Sequence, residues 1–122
     1  PVKNQTYRMT MLFDFYGDIL TERQRELFDL YYNEDLSLAE IAENCGISRQ
    51  GVRDVIVRAE AAMNELEDKT GLLKRFMRMQ DSVDAIVAAA NEIKTINYRQ
   101  YENHRLEELA DSIIAGAGVL KE

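Results

Sequence analysis

The sequence predicts an all-α protein in which a helix-turn-helix domain is followed by a C-terminal helical hairpin. Apolar residues recur every three or four positions from residue 7 onward, and no segment alternates with the period of two expected of a half-buried strand. The only proline is residue 1, so every later segment is free to be helical. Gly46 separates two segments that each begin with a serine, the pattern of two short helices joined by a tight turn. We therefore expect an orthogonal helical bundle without a wing over residues 1–70, and a helical extension over residues 71–122.

The first two helices are predicted from periodicity and from a capping pattern. Residues 7–20 place apolar side chains on one helical stripe. Thr21 followed by Gln24 is a capping-box pattern, so a second helix should start there and stop near residues 33–35. The inward residues expected for the two helices are Met9, Leu12, Phe13, Tyr16 and Ile19 in the first, and Leu27, Leu30 and Tyr31 in the second.

The helix-turn-helix itself is predicted over residues 37–56. Ser37 caps a short helix over residues 38–45, Gly46 breaks it, and Ser48 caps a helix running from Arg49 to about Asp68. Ala42 suits the close approach of the two helices. The apolar contacts between these helices and the rest of the domain are expected from Ile41, Cys45, Ile47, Val52 and Val55.

A heptad pattern follows the joint at residues 69–71. Its apolar line is predicted to be a helix-packing seam, residues 95–97 are expected to turn the chain, and a last helix should follow. The seam could pack within the chain or on another subunit. Because it extends beyond the helix-turn-helix core, we expect a homo-oligomer, with a dimer favoured, either as a homodimer or as a helix-exchanged assembly. The expected apolar lines are Leu72, Phe76, Met79, Val83, Ile86, Ala90 and Ile93, then Tyr101, Leu106, Leu109, Ile113 and Leu120.

Composition excludes several classes of protein. The 122 residues carry a net charge of −7 and one cysteine, so no internal disulfide can form. Residues 1–20 intersperse charges among apolar positions, unlike a signal peptide, and we expect a cytoplasmic protein without membrane insertion. Cys45 fits a structural role and His104 an exposed position without further metal ligands. With no phosphate-binding loop, nucleophile elbow or metal-ligand spacing, we expect neither an enzyme nor a cofactor.

Residues 20–66, "LTERQRELFDLYYNEDLSLAEIAENCGISRQGVRDVIVRAEAAMNEL", resemble region four of bacterial sigma factors, the helix-turn-helix that reads promoter DNA. The strings "LYYNEDLSLAEIA" and "GISRQ" are closer still to the YlxM-type family, which the chain resembles over about residues 7–75. This resemblance implies a regulator linked to the signal recognition particle pathway.

The second helix of the motif would present a reading face to nucleic acid. With Val52, Ile56 and Ala59 inward, the helical period points Gln50, Asp54, Val57 and Ala61 outward. Asp54 should repel phosphate, and the resemblance implies Lys where this chain has Val57 and Ala where it has Gly51. The residues predicted to contact DNA or RNA are Ser48, Arg49, Gln50, Arg53 and Arg58.

The charge distribution leaves several functions open. Residues 46–58 carry a local charge of +2 and residues 70–80 of +3, but residues 11–45 carry −7. A local basic face can act on an acidic protein because salt screens charges over about 8 Å. The alternatives are a sequence-specific transcription regulator acting at promoters, or a protein-binding adaptor of the particle's GTPase without any nucleic-acid role.

Overall fold

The computed structural model describes the backbone of residues 3–121 and the side chains of residues 6–121, and this part of the chain contains helices and turns but no strand. The predicted all-α class is confirmed. The chain divides into one unit up to Leu73 and a second unit from Lys74. None of the helices described is long and apolar enough to cross a membrane. The helices are α1 (Lys3–Tyr16), α2 (Glu22–Tyr32), α3 (Leu38–Cys45), α4 (Arg49–Thr70), α5 (Leu72–Ile96) and α6 (His104–Val119), with a 3-10 turn at Gly17–Ile19 and a π-helical turn at Asn97–Tyr101.

The predicted caps form as expected. Thr21 and Ser37 each accept a hydrogen bond from the backbone N–H three residues on, and the side chains of Gln24 and Glu40 return to the cap N–H. The hydroxyl of Ser48 accepts from the N–H of Gly51 at 2.9 Å. These interactions satisfy N–H groups that have no partner inside their own helices, and each is expected to contribute about 1 kcal/mol.

The first helix ends earlier than its apolar stripe predicts. α1 stops at Tyr16, and the 3-10 turn that follows is closed by Leu20 N–H donating to Gly17 O at 3.1 Å. This change of direction buries Leu20, whereas Ile19 is 54% exposed. The prediction that Ile19 lies on the inward stripe is therefore wrong, because the helical period does not continue through the turn.

The first unit is built around two hydrophobic clusters. Phe28, which periodicity did not place inward, is fully buried and stacks on Phe13 with ring centroids 4.8 Å apart. Leu27 belongs to the second cluster, while the predicted Leu30 and Tyr31 are only half-buried against it. The buried members are Met9, Leu12, Tyr16, Leu20, Phe28, Ala59, Met63 and Leu73 in the first cluster, and Leu27, Ile41, Ala42, Val52 and Ile56 in the second.

A buried carboxylate joins the end of α4 to α1 and to the start of α5. Glu67 Oε1 accepts hydrogen bonds from Tyr16 Oη at 2.8 Å and from the backbone N–H of Leu73 at 2.9 Å. Gly71 ends α4 with φ +62°, a conformation that suits glycine, and the chain enters α5 at once. The carboxylate thus stabilises the joint between two consecutive helices.

The buried phenol of Tyr16 and the half-buried phenol of Tyr32 should make the fold sensitive to alkaline pH. Burial raises the pKa of Tyr16 above its ordinary value of 10.0, and burial with the nearby Glu60 carboxylate raises the pKa of Tyr32. The neutral phenols therefore stabilise the folded state fully below pH 10.0, and this contribution is lost as the pH rises through the higher folded values. We expect the free energy of unfolding, measured by urea denaturation, to fall steeply above pH 10.0.

The double variant Tyr16→Phe/Tyr32→Phe tests this assignment. It should be less stable than the wild type at neutral pH, because hydrogen bonds to Glu67 and Glu60 are lost, but its stability should depend less on alkaline pH. Tyr98→Phe removes a phenol that is 79% exposed and serves as the control. An unchanged alkaline slope in the double variant would contradict the assignment.

The second unit is the predicted helical hairpin. Lys94 on α5 contacts Asp111 at 2.7 Å and Glu107 at 3.4 Å on α6, and Lys121 pairs with Asp84. The pairs show that higher residue numbers on α5 lie opposite lower residue numbers on α6, so the two helices run antiparallel. The most buried residues of this seam are small: Val83 and Ala90 from α5, and Ala110 and Ala117 from α6.

The heptad seam has a different phase from the predicted one. Val83 and Ala90 are buried as predicted, and Phe76 is half-buried, but the second line of the observed seam consists of Gln80, Val87 and Lys94. The predicted second line is Leu72, Met79, Ile86 and Ile93, and each of its members is at least 40% exposed.

The last helix and the turn before it also differ from the prediction. α6 buries Ala110 and Ala117, whereas the predicted inward residues Tyr101, Leu106, Leu109, Ile113 and Leu120 are all exposed. The turn lies after residue 96, where the side-chain amide of Asn97 donates to Asn103 O and accepts from Asn103 N–H, both at 2.8 Å. A polar residue that satisfies its own hydrogen bonds therefore closes the hairpin, which apolar periodicity alone could not predict.

Candidate nucleic-acid interface

The turn between α3 and α4 is held by its own backbone. Gly46 adopts φ +69°, and the N–H groups of Gly46 and Ile47 donate to the carbonyl of Ala42 at 2.9 and 3.2 Å. A residue with a Cβ would be strained in this left-handed conformation. Ser48 then starts α4, so three residues separate the last residue of α3 from the first of α4.

The inward side of α4 is the one that the sequence predicts. Val52, Ile56 and Ala59 are at most 3% exposed, and the first two pack with Ile41 and Ala42 of α3. Cys45, Ile47 and Val55 are half-buried against the same cluster, so the apolar contacts predicted for the motif form. The opposite side of α4 faces solvent, and its exposed residues are Gln50, Arg53, Asp54, Val57, Arg58 and Ala61.

Three arginines of α4 are exposed: Arg53 and Arg58 flank this side, and Arg49 lies at the start of the helix. Arg49, Arg53 and Arg58 are exposed, and within the part of the chain whose side chains are described none of them forms an ion pair. Arg58 lies nine positions after Arg49, a rise of about 13.5 Å along the helix. Their guanidinium groups remain available to phosphates or to base edges.

Two of the predicted contact residues have partners within the helix. Gln50 Nε2 donates to Asp54 Oδ1 at 2.9 Å on the exposed side, an interaction that the sequence analysis did not predict. Ser48 Oγ is engaged as the cap, but a hydroxyl that accepts one hydrogen bond can still donate its own proton. The structure therefore places all five predicted residues on the first two and a half turns of α4 and its cap, with Gln50 restrained by Asp54.

The position of Gly51 is explained by the cap beside it. A Cβ on this residue would lie 3.1 Å from Ser48 Oγ, closer than most such contacts. Glycine therefore leaves room for the capping hydroxyl, and α4 is helical from Arg49 onward despite the glycine. Val57, where the resemblance implies lysine, is 46% exposed and offers an apolar contact in place of a charge.

Within the part of the chain whose side chains are described, the other reactive side chains lie apart from one another. Cys45 is half-buried in the second cluster, and the side chain of His104 is 89% exposed and lies 2.9 Å from Glu108. Among the residues whose side chains are described, no three His, Cys, Asp or Glu lie close enough together to hold a metal ion.

Comparison with known families agrees with this helix-turn-helix geometry. Residues 3–111 match the family described as "Putative helix-turn-helix protein, YlxM / p13 like". The chain belongs to this family. The family's description contains no enzymatic activity. The match covers α1 to α5 and half of α6, so it includes the hairpin as well as the helix-turn-helix.

Individual members of the family align over most of the chain. A UPF0122 protein of Acetivibrio thermocellus is 36% identical over 116 residues, which cover 89% of this chain and 99% of the relative. A UPF0122 protein of Bacillus thuringiensis is 41% identical over 109 residues, or 89% and 94% of the two chains. One from Thermoanaerobacter sp. strain X514 is 50% identical over 78 residues, covering 64% of this chain and 67% of the relative.

Proposed function

We propose that this protein is a regulatory DNA-binding protein that inserts α4 into the major groove of duplex DNA. The observation that carries the proposal is that three arginines of α4 are exposed and form no ion pair among the described side chains: Arg49 at the start of the helix, and Arg53 and Arg58 on the flanks of its solvent-facing side. DNA is favoured over duplex RNA because the deep, narrow major groove of A-form RNA does not admit a helix. The cytoplasm is the proposed place of action.

Each exposed group has a definite role in this proposal. Arg49 and the backbone N–H groups at the start of α4 bind a phosphate, because the positive end of the helix dipole lies there. Gln50 reads adenine once its bond to Asp54 is exchanged, and Val57 contacts a thymine methyl group. Arg53 and Arg58 flank these contacts and bind phosphate or guanine.

The acidic balance of the first unit limits the strength of this binding. Up to residue 73 the sequence contains eight basic and fourteen acidic side chains, a net charge of −6. Only a few phosphates are therefore neutralised per subunit, and affinity should be modest and strongly dependent on salt. Specificity rests on the base contacts of α4 rather than on general attraction to nucleic acid.

The test is the double variant Arg49→Ala/Arg53→Ala in a binding assay with labelled duplexes. A pool of random-sequence DNA duplexes is titrated with the full chain and its affinity measured by fluorescence anisotropy over a series of salt concentrations. The wild type should bind, and the variant should bind at least about tenfold more weakly and with a shallower salt slope, because two phosphate or base contacts are removed.

The matched control is Arg23→Ala/Arg25→Ala, which removes the same charge from two exposed arginines on another helix, α2. Equal losses in both double variants would mean that only net charge matters, and would contradict groove insertion. A wild type that binds no duplex at low salt, or that prefers duplex RNA of the same sequences, would also contradict it.

The charge of −6 supports a second candidate function, a protein adaptor for a basic partner. By family resemblance the proposed partner is the GTPase of the signal recognition particle, and the regulator would then act in that pathway. In this case the purified GTPase should bind the chain with an affinity unaffected by Arg49→Ala/Arg53→Ala. Absence of binding to the GTPase at low salt would exclude this candidate without affecting the DNA proposal.

A further inference from the structure

The hairpin of α5 and α6 has two sides of different character. One side holds the ion pairs of Lys94 with Glu107 and Asp111, and of Lys121 with Asp84. The other side consists of apolar residues that lie one position before the seam residues of their helices and remain 38–53% exposed. We call this side the open apolar face; its members are Met79, Ile86, Ile93 and Ile96 on α5, and Leu106, Leu109, Ile113 and Leu120 on α6.

The ion pairs show that the two apolar lines lie on the same side. In an antiparallel pair, residues that precede the seam on one helix flank the residues that precede it on the other. Ile93 and Leu106 immediately precede Lys94 and Glu107, whose charged groups are 3.4 Å apart, so they lie at one level. At the far end Leu120 precedes Lys121, which pairs with Asp84 between Met79 and Ile86. The face is therefore continuous along the hairpin.

We propose that the open apolar face binds a second copy of the same hairpin, so that two chains form an antiparallel four-helix bundle. Both helices contribute residues of the same heptad position, so the face is apolar along both helices. An interface with twofold symmetry joins the same surface of each copy, and an apolar face of this kind can pack on itself. Between Met79 and Ile96, the helical period places two further residues of α5 on this face, Ser82 and Ala89. On α6 it places Gly116 there. All three are uncharged, so two copies can meet without opposed charges.

The small net charge of the hairpin favours a second copy over a highly charged partner at the open apolar face. From residue 74 onward the sequence contains seven basic and eight acidic side chains, a net charge of −1. Two such hairpins repel each other little, and apart from the basic residues at 74–78 this nearly neutral unit has no excess charge to attract nucleic acid or a strongly basic protein. Most of the negative charge belongs to residues 1–73 instead.

The exposed area is sufficient for a stable pair. Eight side chains that are close to half exposed present roughly 650 Å² of apolar surface, about the upper limit of patches on monomeric proteins. Two copies covering each other would remove roughly 1,300 Å² from solvent, which falls in the range of specific interfaces. The most buried residues of the hairpin seam are one valine and three alanines, and the larger side chains of the open apolar face remain close to half exposed, so a partner helix pair would cover them.

The test is the oligomeric state of the full chain, measured by sedimentation equilibrium and by light scattering. The wild type should have twice the monomer mass of 14.1 kDa. The double variant Ile86→Glu/Ile113→Glu should be monomeric, because four buried carboxylates cannot be accommodated in the bundle. Ile86→Ser/Ile113→Ser removes the apolar contacts without adding charge and should weaken the dimer at least tenfold. Helix content is measured in parallel by circular dichroism.

The matched control is Met77→Glu/Val119→Glu, which adds the same charges at exposed apolar residues of the same two helices outside the face. This variant should remain dimeric. A second measurement uses Cys45→Ser as background: Ile113→Cys should give a dimer with a short bismaleimide cross-linker, and Val119→Cys should not. A wild type that is monomeric at every concentration, a face variant that stays dimeric, or a control that dissociates equally would each overturn the proposal.

Discussion

Replacement of Phe28 by alanine is expected to lower the free energy of unfolding of the first unit by about 3–5 kcal/mol. The side chain is fully buried, and its ring stacks on Phe13 and lies 4.5 Å, centroid to centroid, from the ring of Tyr32. Its removal leaves a cavity at the centre of the cluster that joins α1, α2 and α4, which these helices cannot fill without moving. Because small domains are stable by only about 5–15 kcal/mol, this loss should bring the unit close to unfolding.

The effect of Phe28→Ala on the first unit is measured by amide hydrogen exchange of α2 and α4, which both belong to that unit. Exchange in these helices should accelerate in Phe28→Ala, with a corresponding shift of the urea midpoint. Tyr7→Ala removes an aromatic side chain that is 59% exposed on α1 and should change stability by less than about 1 kcal/mol. A loss in Phe28→Ala no larger than in this control would contradict the central role of the ring.

Reversal of the charge on α4 by Asp54→Lys is expected to raise the affinity for duplex DNA by about tenfold or more. The carboxylate lies on the solvent-facing side of α4 between the flanking Arg53 and Arg58, and it accepts a 2.9 Å hydrogen bond from Gln50. The substitution changes the local charge of residues 46–58 from +2 to +4 and releases the amide of Gln50. The salt slope of binding should steepen at the same time, because additional counterions are displaced.

Glu65→Lys on the same helix is the matched control for Asp54→Lys. It makes an equal change of charge eleven residues further along α4, about 16 Å from Asp54, at an exposed residue whose pair with Lys69 contributes little to stability. The affinity for DNA should rise much less than in Asp54→Lys. If both reversals raise the affinity equally, general attraction rather than the reading face controls binding.

Local signals predicted the helix-turn-helix closely. The capping patterns at Thr21, Ser37 and Ser48 and the glycine at 46 depend on residues within four positions of one another, so the sequence contains all their partners. The side of α4 that faces solvent also follows from its period, and with it the free arginines. The hydrogen bond between Gln50 and Asp54 was missed, although their spacing of four residues was a signal for it.

The choice between neighbouring apolar lines depended on tertiary contacts. On α5 a wide arc is apolar, so both Ile86 and Val87 fit a seam that includes Val83 and Ala90. The observed seam also contains Lys94, a residue that an apolar pattern rejects, and α6 supplies Glu107 and Asp111 as its partners. Whether a lysine is stable at such a position depends on the facing helix, because only an acidic partner on that helix satisfies its charge.

The amino-acid sequence by itself determined that this chain is helical, where α2, α3 and α4 begin, and which side of α4 is free to bind. These properties depend on interactions within one or two helical turns. Only the tertiary structure decided that Phe28 and Glu67 are buried, that α1 ends at Tyr16, and which line of α5 packs against α6. Those outcomes depend on contacts between segments that are distant in sequence, because a side chain becomes buried only when another segment packs over it.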